Sequence, residues 1–192
     1  MKKIVIINGH PNKESLNFEI SSRYKKGALK SKAEVKEITI SDLNFNPNLK
    51  QGYQQRTILE PDLLAAWNII KWADHLVWIH PVWWGGLPAV TKAFIDRLFL
   101  PGFAFNYIEN SIKWEKLLAG KTAHIITTLD QPSWYYRWGY GRPSINQLKK
   151  STLAFCGIKT KKVTYFENVK TAKPNKLNSW LNKAENLGYK QI

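Results

Sequence analysis

The chain of 192 residues carries a single cysteine, Cys156, so it has no intrachain disulfide and no cysteine-rich zinc site. No segment approaches the ~18 uninterrupted apolar residues of a membrane-spanning helix. Met1-Lys2-Lys3 leads into only four apolar residues, Ile4 to Ile7, too short a stretch for a secretory signal. Acidic residues are scarce, 14 against 29 Lys and Arg, which leaves a formal charge of +15. Arginine is scarce within that excess, 5 of the 29. Specific phosphate and base recognition leans on the planar guanidinium, so a lysine-rich excess reads mainly as solvated surface, and no nucleic-acid partner is expected. The excess sits at the two ends: residues 1–50 hold 10 basic and 5 acidic side chains, and residues 146–192 hold 10 and 2. What remains is 44% apolar and 13% aromatic, with nine tryptophans, enough for a sizeable core. The expectation is one soluble, cytoplasmic domain over residues 1–192.

Short Ile- and Val-rich runs bounded by turn residues predict five strands, at 3–8, 35–40, 75–80, 122–128 and 161–166. Between them, apolar residues at helical spacing predict helices at 17–30, 61–72, from Pro88 through Phe99, at 144–155 and at 175–187. Ser15 or Asn17 is placed to cap the first, and Pro61 to open the second. Residues 44–55, polar and carrying Pro47 and Gly52, read as a loop. This alternation implies a doubly wound α/β fold, an open parallel sheet with helices on both faces. In such sheets ligands bind beyond the carboxyl ends of the strands. Three loops therefore carry the argument.

The first, residues 9–17, is polar and leads into a helix. Its backbone N–H groups, Ser15, Asn17 and His10 or Lys13 suit an anion, although an ordinary capped connection has the same composition. The second, residues 81–88, sets Trp83 and Trp84 beside Gly85 and Gly86, a flat apolar wall next to exposed backbone. A planar heteroaromatic ligand needs that combination. The third, residues 129–140, places five aromatics within residues 134–140, as a lid over a flat ligand or a self-packed plug. Thr127 and Thr128 precede it and can reach a ring edge.

Other chemistries lack their residues. There is no Gly-x-Gly-x-x-Gly, and Gly120-Lys121-Thr122 precedes a strand rather than a helix, which excludes a phosphate-binding P-loop there. No Gly-x-Ser-x-Gly occurs. His10 and His80 both fall at strand ends without a third metal ligand, so no metal is expected, and His75 and His124 read as structural. Cys156, beside Phe155, reads as a packed core thiol.

Five stretches, in order, resemble the flavodoxin-like NAD(P)H:quinone oxidoreductase family, the group of short bacterial quinone reductases and larger animal enzymes. They are Gly9-His10-Pro11 with Ser15-Leu16-Asn17; Asp42-Leu43 with Phe45-Asn46-Pro47; Ala73-Asp74 through the third strand into Pro81-x-Trp83-Trp84; Gly85-Gly86-Leu87-Pro88-Ala89 with Lys92; and Phe99 with Gly102-Phe103-Ala104-Phe105. Phe155-Cys156-Gly157 adds a weaker sixth.

The resemblance implies a flavodoxin-like sheet of order 2-1-3-4-5 and a bound flavin, FMN with FAD as the alternative. It puts the phosphate on His10, Ser15, Leu16 and Asn17. The ring goes against Pro81, Val82, Trp83, Trp84 and Gly85, with Thr127, Thr128, Leu129 and Asp130 at its other edge. It implies ping-pong hydride transfer from NADPH or NADH to a quinone-like acceptor, and a homodimer in which Phe103, Phe105 and Tyr107 reach the neighbouring site. Larger relatives have Gly-Gly where Leu129-Asp130 stands, and a Tyr and a His for the flavin proton. Here Tyr135 or Tyr136 matches the catalytic Tyr and no His follows. Two other roles fit the same fold: a non-enzymatic electron carrier, and a regulatory subunit bound to a membrane transporter through its basic ends.

Overall fold

The computed structural model describes residues 1–52, 55 and 58–192. The chain runs β1 (Lys3–Asn8), α1 (Leu16–Lys30), β2 (Glu34–Thr39), α2 (Pro61–Trp72), β3 (His75–Pro81) and α3 (Ala89–Leu98). It continues with β4 (Phe105–Tyr107), β5 (Trp114–Lys116), β6 (Thr122–Leu129), α4 (Ser133–Trp138) and α5 (Pro143–Asn146), then β7 (Lys159–Glu167) and α6 (Pro174–Tyr189). Five strands form one sheet in the order β2-β1-β3-β6-β7. Every neighbour pair in it is parallel. Counted within that sheet, this is the expected order 2-1-3-4-5 of a flavodoxin-like fold.

The central strands are apolar throughout because both of their faces are covered. In β1, Val5 and Ile7 face the layer that holds Leu63 of α2, Phe94 of α3 and Leu148. Ile4 and Ile6 face the opposite layer, with Ile20 and Tyr24 of α1 and Trp180 of α6. The edge strands β2 and β7 carry Glu34, Lys36 and Glu37, and Lys159, Lys161 and Lys162, charges that discourage pairing with another sheet. Among the described residues no helix is long and apolar enough to cross a membrane.

Helices α1 and α6 meet backbone to backbone. A Cβ on Gly27 would lie 1.9 Å from the carbonyl oxygen of Glu185, and one on Gly188 would lie 2.0 Å from that of Tyr24. Only glycine fits at either crossing point.

Three local features depart from the sequence expectations. The β4–β5 hairpin was not expected, because strands of three residues have no readable period; it is held from outside its own sequence. Trp114 stacks on Phe155 at 4.5 Å and donates its indole N–H to the Phe155 carbonyl at 2.8 Å, while Phe105 meets the same ring edge-on. Residues 133–138, expected as loop, form α4, whose first N–H, that of Ser133, is taken by the Glu167 carboxylate at the end of β7. The helix expected at 144–155 starts as α5 and continues as a π-helical stretch, Gln147–Ala154. Residues 44–52 and 55 of the expected loop carry no helix or strand, and positions 53 and 54 lie outside the described residues.

Candidate functional site

The three loops singled out above converge at the carboxyl ends of β1, β3 and β6. The first is fixed at both ends by Asn8, which is buried. Its side-chain carbonyl accepts from His10 N at 3.0 Å, and its amide donates to the Asn17 carbonyl at 3.2 Å. Thr91 of α3 donates its hydroxyl to the Gly9 carbonyl at 3.0 Å, so close that a Cβ on Gly9 would come within 2.2 Å of that oxygen. Ser15 stands at the N-cap of α1 but makes no capping hydrogen bond. Lys13, the loop's lysine, is paired with Asp42 at 2.8 Å. The His10 ring meets Trp83 edge-on at 5.5 Å, and burial lowers its pKa.

The second loop is tighter than its composition announced. Trp83 N bonds to Gly86 O at 3.2 Å and Gly86 N to Trp83 O at 2.9 Å, enclosing Trp84 and Gly85 at φ 51° and 73°. Two positive φ values make this a type I′ turn, a shape that favours Asn and Gly. Trp84 therefore holds a strained backbone, and its ring is fully exposed. The turn is braced from beneath. The Tyr136 hydroxyl donates to the Gly85 carbonyl at 2.9 Å, and Ser144 meets that hydroxyl through Oγ at 2.7 Å and through its N–H at 3.1 Å. His80 lies 3.5 Å from Ser144 Oγ, entirely buried, with its pKa pushed down to about 3 by desolvation.

In the third loop, α4 sorts its aromatics. Tyr136 is enclosed, and burial raises its pKa. Trp134, Tyr135, Trp138 and Tyr140 stay on the surface, Tyr135 at 44% exposure and edge-on to Tyr140 at 5.5 Å. Of the two tyrosines expected to handle a proton, Tyr135 stands on the surface, while Tyr136 is buried with its hydroxyl bonded to the Gly85 carbonyl. Cys156 is also buried, with its thiol pKa pushed up to about 12 by desolvation.

A cleft of about 250 Å³ opens where the loops meet. His10, Ser15, Leu16 and Asn17 form one wall, Pro81, Val82 and Trp83 a second, and Thr128, Leu129 and Asp130 a third. Trp84 and Gly85 stand at the rim, in the turn, and Thr127 is buried below. Val169, after β7, also lines the cleft, and nothing in its local sequence marks it. Phe105 and Tyr107 line a different cavity, between α3 and the π-helical stretch. Phe105 is buried there, Tyr107 is exposed, and Phe103 packs edge-on against Trp67 of α2. A larger cavity of about 590 Å³ lies around Glu60 and the buried Arg97, away from the three loops.

The polar atoms of the cleft are unusual. Thr128 donates its hydroxyl to Asn17 Oδ1 at 2.7 Å. The Asn17 amide nitrogen and the Ser15 hydroxyl are buried with no hydrogen-bond partner, as is the Thr127 hydroxyl on the other face of β6, outside the cleft lining. Leaving a buried polar group unsatisfied costs roughly 1–3 kcal/mol, so the two in the cleft describe a site built for groups that a ligand brings. With Lys13 paired to Asp42, the donors offered are neutral hydroxyls, an amide and the N-terminal end of α1. That chemistry suits a phosphate held by directed hydrogen bonds, next to an aromatic ledge that suits a flat ring.

A family model described as a flavodoxin-like fold matches residues 2–187. An Escherichia coli (strain K12) protein named uncharacterized NAD(P)H oxidoreductase YcaK is 24% identical over 182 residues, spanning 87% of this chain and 84% of its own. The solved NAD(P)H:quinone oxidoreductase from Methanothermobacter marburgensis superposes with a TM-score of 0.82 at 19% identity, over 98% of both chains. An FMN-dependent NADH-azoreductase from Bacillus anthracis str. Ames Ancestor, solved in complex with FMN, gives a TM-score of 0.75 at 19% identity, over 100% of this chain and 99% of that one.

Proposed function

The chain belongs to the family of the flavodoxin-like fold, and from that membership we propose that it is a flavin-dependent NAD(P)H oxidoreductase that passes hydride to quinones or similar electron-poor acceptors. The observation that carries the reading is the pair of enclosed, unpartnered atoms Ser15 Oγ and Asn17 Nδ2 in the cleft beside the strained Trp83–Gly86 turn. Bound FMN would supply the chemistry of hydride transfer between NADPH or NADH and the acceptor.

The protein's residues do the holding. Ser15, Leu16 and Asn17 offer hydrogen bonds to the phosphate, and His10, beside Trp83, closes that end. Pro81 through Gly85 present backbone and aromatic surface to the ring, while Thr127, Thr128, Leu129 and Asp130 border its other edge. Asp130 is itself held, accepting from Lys170 N at 2.9 Å. The strain at Trp84 is tolerated because Tyr136 and Ser144 fix the turn from below. Tyr135, on the surface of α4, is the tyrosine we assign to proton exchange with solvent. The α4 aromatics exclude water from one side of the ring, which favours hydride transfer over side reactions. Phe103, in the turn before the hairpin, and Phe105 and Tyr107 of β4 complete the acceptor site of a second copy in a homodimer. Phe105 acts there by propping Tyr107, which it meets edge-on at 5.2 Å. We place the protein in the cytoplasm.

The absorbance spectrum of the purified protein, followed by chromatography of the released chromophore, tests the reading. A flavin spectrum with FMN released is expected, together with NADPH oxidation by a soluble quinone and no other protein. A colourless protein that neither FMN nor FAD reconstitutes would overturn it. Bound flavin without turnover would instead make the chain an electron carrier.

A further inference from the structure

A further concavity, of about 320 Å³, lies between the free edge of the sheet at β7 and the helical layer from Arg142 to Lys150. Five cationic side chains line it: Arg142, Lys149, Lys150, Lys161 and Lys162. No carboxylate lines it among the described residues, and none of the five forms an ion pair there. Its volume falls at the lower end of small-molecule sites.

Edge strands often carry lysine merely to discourage pairing. Three features go beyond that. Arg142, Lys149 and Lys150 come from the opposite layer and face the same hollow, and the two lysines sit in the π-helical stretch, an uncommon geometry associated with functional sites. On β7 the register against β6 passes from Thr160 opposite Ala123 to Lys162 opposite His124, so Lys161 is bulged out of the ladder. The Thr160 hydroxyl, beside that bulge, is buried without a hydrogen-bond partner. Five cations facing one hollow make a positive field there, and the Thr160 hydroxyl beside it lacks a partner. A multiply charged anion answers both. The remaining wall is Ile145, Val163 and Tyr165, apolar surface with one aromatic face, which suits a base.

We propose that this groove binds a nucleotide, its phosphates on Arg142, Lys149 and Lys161 with Thr160, and its base against Tyr165. The nucleotide phosphate has two possible sources: the adenylate half of the nicotinamide co-substrate, or a free nucleotide acting on the enzyme. Tyr165 meets Tyr136 at 6.5 Å, and Tyr136 holds Gly85, so the groove backs onto the turn that carries Trp84. Binding in the groove stands independently of the flavin reading; only its assignment to the co-substrate rests on that reading.

Calorimetry at physiological salt, on the protein as purified, tests the site with ATP and inorganic pyrophosphate as probes. Saturable one-to-one binding is expected. The pair Lys149→Gln/Lys161→Gln should weaken it about 10-fold or more, and Thr160→Val, which removes a hydrogen bond to a charged group, about 10-fold as well. The pair Lys176→Gln/Lys183→Gln on α6 should leave it unchanged. Absence of saturable binding at millimolar probe overturns the proposal, as does an equal loss in the α6 pair, which would mean general adsorption to a basic surface. Kinetics then distinguish the sources, either of which supports the site. If the adenylate half binds here, the groove pair raises KM for NADPH at constant kcat and ADP competes with NADPH. If a free nucleotide binds, KM is unchanged and ATP binds equally well with NADPH present.

Discussion

The hydroxyl of Tyr136 reaches the carbonyl of Gly85 at 2.9 Å, across 51 positions of sequence, and so joins the aromatic helix α4 to the turn that displays Trp84. Tyr136→Phe should leave Gly85 O and Ser144 short of a partner and destabilise the fold by about 1–2 kcal/mol. It should also loosen flavin retention. Tyr135→Phe should leave stability unchanged and lower kcat about 10-fold or more, as loss of a proton-exchanging group does. Urea unfolding and steady-state kinetics on both variants separate the roles. A stable Tyr136→Phe with intact flavin binding would contradict the support role.

Trp84 sets local stability against ligand binding. Its ring is exposed and its φ is 51°, so Trp84→Asn relieves strain without removing buried surface. The cofactor-free variant should gain about 0.5–1 kcal/mol. Its flavin dissociation constant should rise about 10-fold, the cost of losing an aromatic stacking surface. Unfolding and fluorescence titration on the same preparation measure both.

Gly9 and Thr91 form a steric pair. Gly9→Ala drives a Cβ to within 2.2 Å of Thr91 Oγ1 and should destabilise by about 1–3 kcal/mol. Adding Thr91→Ala, which frees that space, should recover part of the loss. A double-mutant cycle showing simple additivity would mean the two do not interact.

Three histidines make the fold acid-sensitive. Burial pushes His75 and His80 down to about 3 and His124 to about 4, whereas in the unfolded chain each titrates near 6.5. Below 6.5 the unfolded state binds protons that the folded state refuses, so stability is full above that pH and is lost as pH falls toward 4. With three such groups the slope reaches at most about 4 kcal/mol per pH unit. Urea midpoints between pH 4.5 and 8 should show the decline. His124→Asn should flatten it, because His124 is one of the three and bonds Thr164 at 2.8 Å.

The sheet was legible because β1, β3 and β6 are continuous apolar runs between turn residues, a pattern that buried parallel strands impose. The cleft walls were legible because the loops after these strands hold residues with no role in a core, such as Asn17 and Trp83. What stayed hidden depends on distant partners. The β4–β5 hairpin needs Phe155, and the start of α4 needs Glu167. The separation of Tyr136 from Tyr135 follows only once residues 133–138 become a helix, which turns adjacent side chains to different faces. Asn8 and Thr91, which fix the first loop, look like ordinary residues of a strand and a helix.

The crossing of α1 and α6 at Gly27 and Gly188 bears on how the cleft meets its ligand. With bare backbone at both crossing points, and Arg23 and Lys30 of α1 paired with Glu185 of α6 beside them, the two helices behave as one double-width beam, and Leu16, the first residue of α1, is the end of that beam. Tilting the beam to admit a ligand would move α6 and with it Trp180 and Leu187, so the α1 end of the cleft is held in place before anything binds. Little ordering entropy is then left for binding to overcome there. The adjustment falls instead to the opposite rim, where Trp84 rides on four residues.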